Sequence, residues 1–229
     1  MDEHIDNEVD EDQLEADAAE AAGLDSDRDT EQEVETAIRL FPEVLTTKKI
    51  IVWHDDYDEL IESFYPVQLL AFSHRGEPRS RRCNLKAISF IPLLVRLAKE
   101  LDVFDIMLGE QCGAGLLIQD NGGNNVLQHL MLSDPWNEPY NIEHHETVDS
   151  KCSQVLVQLR RMGVFKKEDI QIHFLLSILC NVEMFFADKR FRFLIEWYPS
   201  LLIHRRWHPL LYAASIRQFR SVFEAGIKY

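Results

Sequence analysis

A stretch near the start of the chain returns 157 positions later with its physical character intact. Ala37-Ile38-Arg39-Leu40-Phe41-Pro42-Glu43-Val44-Leu45 lies over Leu194-Ile195-Glu196-Trp197-Tyr198-Pro199-Ser200-Leu201-Leu202, apolar on apolar, polar on polar and proline on proline. The basic pairs Lys48-Lys49 and Arg205-Arg206 follow at the same offset. Each copy reads as an apolar helix end, an aromatic residue and a proline that stops the helix. Proline lacks the N–H the helix needs and pushes the residue before it out of helical conformation. Pro42 and Pro199 are therefore expected just past equivalent helices, each leading into an extended exit. One helix end used twice points to a chain of stacked helical hairpins, an architecture that usually works through its surface.

The acidity of the chain is not shared by this repeated part. Residues 1–35 carry 16 Asp and Glu against the single base Arg28, whereas residues 36–229 carry 23 acidic and 23 basic residues. The first 35 residues also lack aromatics and hold few aliphatic residues, too little apolar area to offset the entropy of ordering them. They predict a disordered acidic tail, either an arm that docks on basic partners or a solubilising extension. Residues 36–229 form the second region, with apolar content ample for a core.

Four cysteines, Cys83, Cys112, Cys152 and Cys180, stand 29, 40 and 28 residues apart, with no close pair for a zinc ribbon or a redox dithiol. The longest uncharged apolar run, Ile170 to Val182, has 13 residues, too short to span a bilayer. With no basic-then-apolar start to read as a signal peptide, these features predict a cytoplasmic or nuclear protein with reduced thiols and no membrane association.

A second element recurs between the proline copies. Tyr65-Pro66-Val67-Gln68-Leu69-Leu70-Ala71, Asn125-Val126-Leu127-Gln128-His129-Leu130-Met131 and His208-Pro209-Leu210-Leu211-Tyr212-Ala213-Ala214 each place a polar or aromatic residue before a first helical turn. Proline is tolerated at the first helical position, where its missing N–H has no partner to lose. At these residues the chain resembles the ankyrin repeat. Asp120 to Gln128 follows the family's Asp-x-x-Gly-x-Thr-Pro-Leu-His at Asp120, Gly123 and Leu127, and His208 to Ala214 follows Thr-Pro-Leu-His-x-Ala-Ala at Pro209, Leu210, Ala213 and Ala214. Leu194-Ile195-Glu196 and Phe223-Glu224-Ala225-Gly226 look like the family's outer-helix ends. The aromatic-Pro helix ends and large insertions look most like the divergent ankyrin-like proteins expanded in diatom algae. No copy carries the family's Thr and His together. With His173 to Cys180 as another inner segment, the inner helices fall at intervals of about 60, 48 and 35 residues, of which only the last is near the ankyrin period.

The coarse reading places outer helices at 33–41, 88–104, 150–162, 186–198 and 217–226, and inner helices at 65–73, 124–132, 170–182 and 208–215. Leu94, Leu97, Ala98 and Leu101 follow the spacing of one buried helical face, and Phe191, Leu194, Ile195 and Tyr198 make an aromatic-rich stripe between repeats. Long insertions are expected near 46–63, which holds the β-like run Ile50-Ile51-Val52-Trp53, and near 133–149. The stripe Phe219, Val222, Phe223 and Ile227 predicts an apolar outer face on the last hairpin, either a docking surface or a sign of a longer gene product.

Candidate chemistry is sparse. Glu143-His144-His145-Glu146, with Asp149 and Cys152 following, is the best metal-ligand cluster, but it lacks the i, i+4 histidine pair of a zinc protease helix and reads better as a polar loop running into the helix at 150. No nucleophile elbow, phosphate loop or dinucleotide fingerprint occurs, and the glycines between 109 and 123 do not follow a strand in the required order. Arg75-Gly76-Glu77-Pro78-Arg79-Ser80-Arg81-Arg82 is the one basic cluster: a nuclear-import patch, a phosphate site, a kinase target at Ser80, or a solvated loop. No nucleic-acid partner is expected for a neutral folded part beside a tail that repels phosphates.

The expectation is therefore an all-α fold, a short irregular ankyrin-like solenoid of helical hairpins behind a disordered acidic tail. Its function would be protein–protein interaction, as a scaffold or regulatory adaptor, without catalysis and without a cofactor. In the family the x of Thr-Pro-Leu-His-x-Ala faces the concave groove, so the resemblance nominates Leu69, His129 and Tyr212 as contact residues. The alternatives are a metal-dependent hydrolase using the Glu143–Cys152 cluster, and an acidic-arm binder of basic nuclear proteins.

Overall fold

The computed structural model describes residues 23–54, 59–74, 81–104, 115–132, 142–180, 185–203 and 216–228. Their helices are α1 (Glu31–Leu40), α2 (Pro66–Ala71), α3 (Ile91–Glu100), α4 (Val126–Met131), α5 (Ile142–Arg161), α6 (Lys167–Ile172), α7 (Leu175–Leu179), α8 (Asp188–Trp197) and α9 (Ile216–Lys228). Two antiparallel hairpins interrupt the helices: β1 (Lys49–His54) with β2 (Glu59–Phe64), and β3 (Phe72–His74) with β4 (Arg81–Cys83). The fold is mostly helical, but these strands correct the all-α expectation.

The helices fall into two rows. In one, α1 packs on α3, α3 on α5, α5 on α8 and α8 on α9; in the other, α2 packs on α4 and α4 on α7. The rows meet where α2 contacts α3, α4 contacts α5 and α7 contacts α8. The middle of this arrangement is a single apolar cluster running from Val34 to Val222. Helix α3 has neighbours on several sides, so Ile91, Leu93 and Val95 are buried as well as the expected face Leu94, Leu97 and Ala98. No helix among the described residues is long and apolar enough to cross a membrane.

The two proline windows adopt the same backbone. Phe41 closes α1 at φ −133°, ψ 65°, and Tyr198 closes α8 at φ −139°, ψ 73°. The Phe41 N–H donates to the Ala37 carbonyl at 3.0 Å, and the Tyr198 N–H to the Leu194 carbonyl at 2.8 Å. Each proline then opens a 3₁₀ turn, Pro42–Leu45 or Pro199–Ile203, rather than the extended exit expected. The fixed φ of proline suits a 3₁₀ turn, and both are closed by a 3.1 Å bond back to the aromatic carbonyl.

Four boundaries differ from the sequence expectation. The acidic segment is folded well before residue 35. Thr30 and Glu33 form a reciprocal capping box at the start of α1, and Val34 is buried. Upstream, the Ser26 N–H donates to the Lys86 carbonyl at 2.8 Å. Charge alone misjudged these residues, because their acidic side chains are spent as caps and ion-pair partners. The 46–63 insertion is the β1–β2 hairpin, in which Ile51 packs on the core while Ile50 and Val52 alternate outward. Helix α5 starts at Ile142, eight residues before the expected boundary, so 142–149 belongs to a helix and not to the second insertion. The expected inner helix 170–182 breaks at Phe174, whose φ of 53° separates α6 from α7.

Candidate functional site

Of the nominated contact residues, His129 sits beside the turn that precedes α4. Asp120 folds that turn: its Oδ1 accepts the Gly122 and Asn124 N–H groups at 2.8 and 3.1 Å. Gly123 takes φ +78°, which the absence of a Cβ permits without strain. Where the ankyrin pattern has Thr and His, this chain has Asn125 and Gln128, and the pair supplies a reciprocal cap. The Gln128 N–H donates to Asn125 Oδ1 at 3.0 Å, and the Asn125 N–H to Gln128 Oε1 at 2.9 Å. Helix α2 repeats half of this device, with the Tyr65 N–H donating to Gln68 Oε1 at 2.8 Å.

Both glutamines then reach forward. Gln68 Nε2 donates to the Ile118 carbonyl at 2.9 Å, just before the Asp120 turn, and Gln128 Nε2 to the His173 carbonyl at 3.4 Å, just before α7. Asn125 Nδ2 also meets His173 Nδ1 at 3.0 Å. Helices α2 and α4 are thereby each tied to the turn that launches the next helix of the row. Burial pushes the His173 imidazole below its ordinary range, with the Asp169 carboxylate partly opposing it.

His129 lies inside the protein. Its Nε2 is 2.6 Å from Asp120 Oδ2, with both side chains buried, and its ring lies 4.4 Å from that of Phe72. Its place is the support of the Asp120 turn, which corrects its nomination as a surface contact. Leu69 is half-buried against the core, and Tyr212 lies outside the described residues. Gly115 explains how the turn approaches α2: at φ +94°, a Cβ on it would stand 2.6 Å from Tyr65 Cβ.

The metal-ligand cluster is dispersed by α5. His145, Val148, Asp149, Cys152, Val155, Leu156 and Leu159 form the buried face, while Glu143 and Glu146 face solvent. The imidazole of His145 stacks on Phe185 at 4.6 Å with an interplanar angle of 5°. Asp149 accepts Arg190 Nε at 2.9 Å and the Lys189 and Arg190 N–H groups at 2.8 and 3.2 Å, capping α8. Arg190, fully buried, also donates through Nη1 to the Leu130 and Leu132 carbonyls at 2.8 Å. One guanidinium thus joins the end of α4, the middle of α5 and the start of α8. Among the described residues no three His, Cys, Asp or Glu side chains gather closely enough to hold a metal ion.

The outward surface divides by character. On the β1–β2 hairpin, Val52 lies opposite Ile61, and Ile50, Val52 and Ile61 are 65, 41 and 58% exposed. This is an apolar stripe on the solvent face of a two-stranded sheet. Helices α1 and α3 carry a network of opposite charges instead: Arg96 pairs with Glu35 at 2.8 Å and Glu100 at 3.0 Å, and Arg39 pairs with both glutamates. Arg96 first and Arg39 second hold the Glu35 carboxyl below its usual range; for Glu100 the order is reversed. Of the basic cluster, Arg81 and Arg82 belong to β4, and residues 75–80 lie outside the described residues. On α9, Val222 is buried while Phe223 and Ile227 are exposed.

The capping glutamines and the Arg190–Asp149 pair escaped the sequence reading. A signal for the glutamines was present, in the identical Gln at the third helical position of two recurring segments. Neither a protein-family model, nor a curated protein, nor a solved structure matches this chain.

Proposed function

We propose that the chain is a protein-recognition module, an irregular ankyrin-like stack of helical hairpins that acts by binding another polypeptide rather than by catalysis. The observation that carries this reading is the two-row packing of α1, α3, α5, α8 and α9 against α2, α4 and α7. Supporting it are the equivalent proline exits at Phe41 and Tyr198 and the glutamine links from α2 and α4 to the next turn. Asn125 and Gln128 stand where the ankyrin pattern has Thr and His, and their reciprocal cap would serve the same turn. The insertions displace the period, and the first of them presents the Ile50, Val52 and Ile61 stripe, an exposed apolar surface of the kind that marks interaction sites. Leu69 lies on the first inner helix and is retained as a proposed contact.

The test compares the full chain with an Ile50→Glu/Ile61→Glu variant by crosslinking and affinity capture from a cell lysate. Both side chains face water, so the variant keeps the melting temperature within about 2 °C, since surface changes fall within about 0.5 kcal/mol. The expected result is a partner crosslinked to the β1–β2 hairpin of the parent chain and lost from the variant. Equal capture by both proteins removes the hairpin from the interface. Failure of the parent chain to enrich any polypeptide overturns the recognition reading.

A further inference from the structure

The sequence places Cys83 and Cys152 in different parts of the chain, 69 residues apart, but the fold brings their sulfurs to 4.0 Å. Both are thiols. Cys83 ends β4, where it pairs with Phe72 of β3 and remains half-buried, within reach of a small reagent. Cys152 lies on the buried face of α5 directly behind it. The surroundings fix both partners. Asn84 holds the residue after Cys83, its Nδ2 donating to the Leu69 carbonyl at 3.3 Å and its Oδ1 accepting the Ala87 N–H at 3.2 Å. Lys151, beside Cys152, donates to the Leu85 carbonyl at 2.8 Å. The two strands of chain that carry the sulfurs are therefore already tied together, and about 2 Å of approach separates the thiols from a disulfide bond length.

We propose that Cys83 and Cys152 form a reversible disulfide by exchange with a low-molecular-weight disulfide such as oxidised glutathione. The thiolate of Cys83, the more accessible sulfur, attacks one glutathione sulfur; a protein–glutathione bond forms and a glutathione thiolate leaves. The Cys152 thiolate then attacks the Cys83 sulfur, forming the internal bond and expelling the second glutathione thiolate. The two protons lost by the protein thiols are taken up by the two departing thiolates. The protein is oxidised by two electrons and the glutathione disulfide is reduced by two. The product staples the β3–β4 hairpin, with its Arg81-Arg82 pair, to α5 and closes a long loop, which stabilises by restricting the unfolded chain. Cys180 is an internal control: burial pushes its thiol up to about 12, and a protonated thiol does not take part in exchange.

The experiment incubates the full chain with oxidised glutathione, unfolds it in guanidinium chloride to block the remaining thiols with N-ethylmaleimide, and digests with trypsin without reductant. The expected product is Cys83–Lys86 joined to Cys152–Arg160, two hydrogens lighter than the separate peptides, with Cys180 alkylated. The oxidised protein melts about 5 °C or more above the reduced one, and dithiothreitol reverses the shift. In Cys152→Ser, Cys83 accumulates as a glutathione adduct and the thermal shift disappears; Cys152→Ala serves if the serine variant does not fold. Recovery of Cys83 and Cys152 both alkylated overturns the proposal. So does Cys83 joined only to glutathione, Cys112 or a second chain in the parent protein.

Discussion

Arg190 is the residue on which most depends. A fully buried guanidinium is tolerated only when its charge is matched and its donors are engaged, which Asp149 and two carbonyls of the α4 end accomplish together. Arg190→Ala is expected to destabilise the protein by about 3–5 kcal/mol in chemical denaturation, because it strands a buried carboxylate. Arg190→Met with Asp149→Asn is expected to recover part of that loss; full destabilisation in the double variant refutes the charge argument. His173 gives the second prediction at this scale. Asn125 Oδ1 is occupied by the Gln128 N–H, so its Nδ2 is the group facing His173, and Nδ1 of the imidazole must be the acceptor. Protonation there would set two donors against each other. The folded pKa lies below the ordinary 6.5, so between the two values the unfolded chain binds more protons. Stability from this group is complete above about pH 6.5 and is lost as pH falls through the folded value. Melting temperatures between pH 7.5 and 5.5 should decline in the parent chain and decline less in His173→Gln. Equal slopes show that His173 carries none of it.

At the scale of elements, the chain builds its helix starts from whichever side chains can exchange hydrogen bonds over three residues. Thr30 with Glu33 and Asn125 with Gln128 are two solutions to the same shortage of partners for the first N–H groups. Gln128 has the added bond to the His173 carbonyl. Gln128→Ala is therefore expected to cost about 1–2 kcal/mol, the loss of a cap and one further hydrogen bond, measured by urea denaturation. A change below about 0.3 kcal/mol shows that the link between the two turns carries no weight. Gly115→Ala is predicted to be worse than a surface glycine change. The new methyl meets Tyr65 at 2.6 Å from a backbone that L side chains avoid, whereas a Cβ at Gly163 meets nothing within 4 Å. A melting temperature lower for Gly115→Ala than for Gly163→Ala is the expected order. Helix ends were the legible part of these elements: Pro42 and Pro199 announced them, and the backbone at Phe41 and Tyr198 repeats to within a few degrees. Helix α5 was misjudged because His145 and Asp149 occupy its buried stripe. A stripe is read by its apolar residues, and the partners that make these two acceptable, Phe185 and Arg190, come from a distant part of the chain.

Across the whole molecule, α1 closes the first row through Val34, Ile38 and the charge network with α3. A chain lacking residues 1–35 loses Val34, the Thr30–Glu33 cap and the Glu35 partner of Arg39 and Arg96. It is expected to melt about 5–10 °C lower, from about 2–4 kcal/mol of lost burial and capping. An unchanged melting temperature shows that α1 folds without adding stability. Glu35 and Glu100, held below their usual range by the arginines, contribute above the unfolded carboxylate value and lose that contribution as pH falls through the folded one. The sequence alone determined that the protein would be mostly helical, with aromatic-Pro helix ends at Phe41-Pro42 and Tyr198-Pro199 and a β-prone run at Ile50–Trp53. These properties are local: they depend on backbone chemistry and periodicity within a few residues. Only the tertiary structure decided that His129 turns inward to Asp120, that Arg190 joins three helices, that Cys83 meets Cys152, and that residues 23–35 are folded. The first three depend on a partner at least nine residues away, and the folding of 23–35 on the bond from Ser26 to Lys86 as well as on its local cap. Whether a polar side chain is buried is set by what charge or hydrogen bond the fold brings to it, and no local pattern records that.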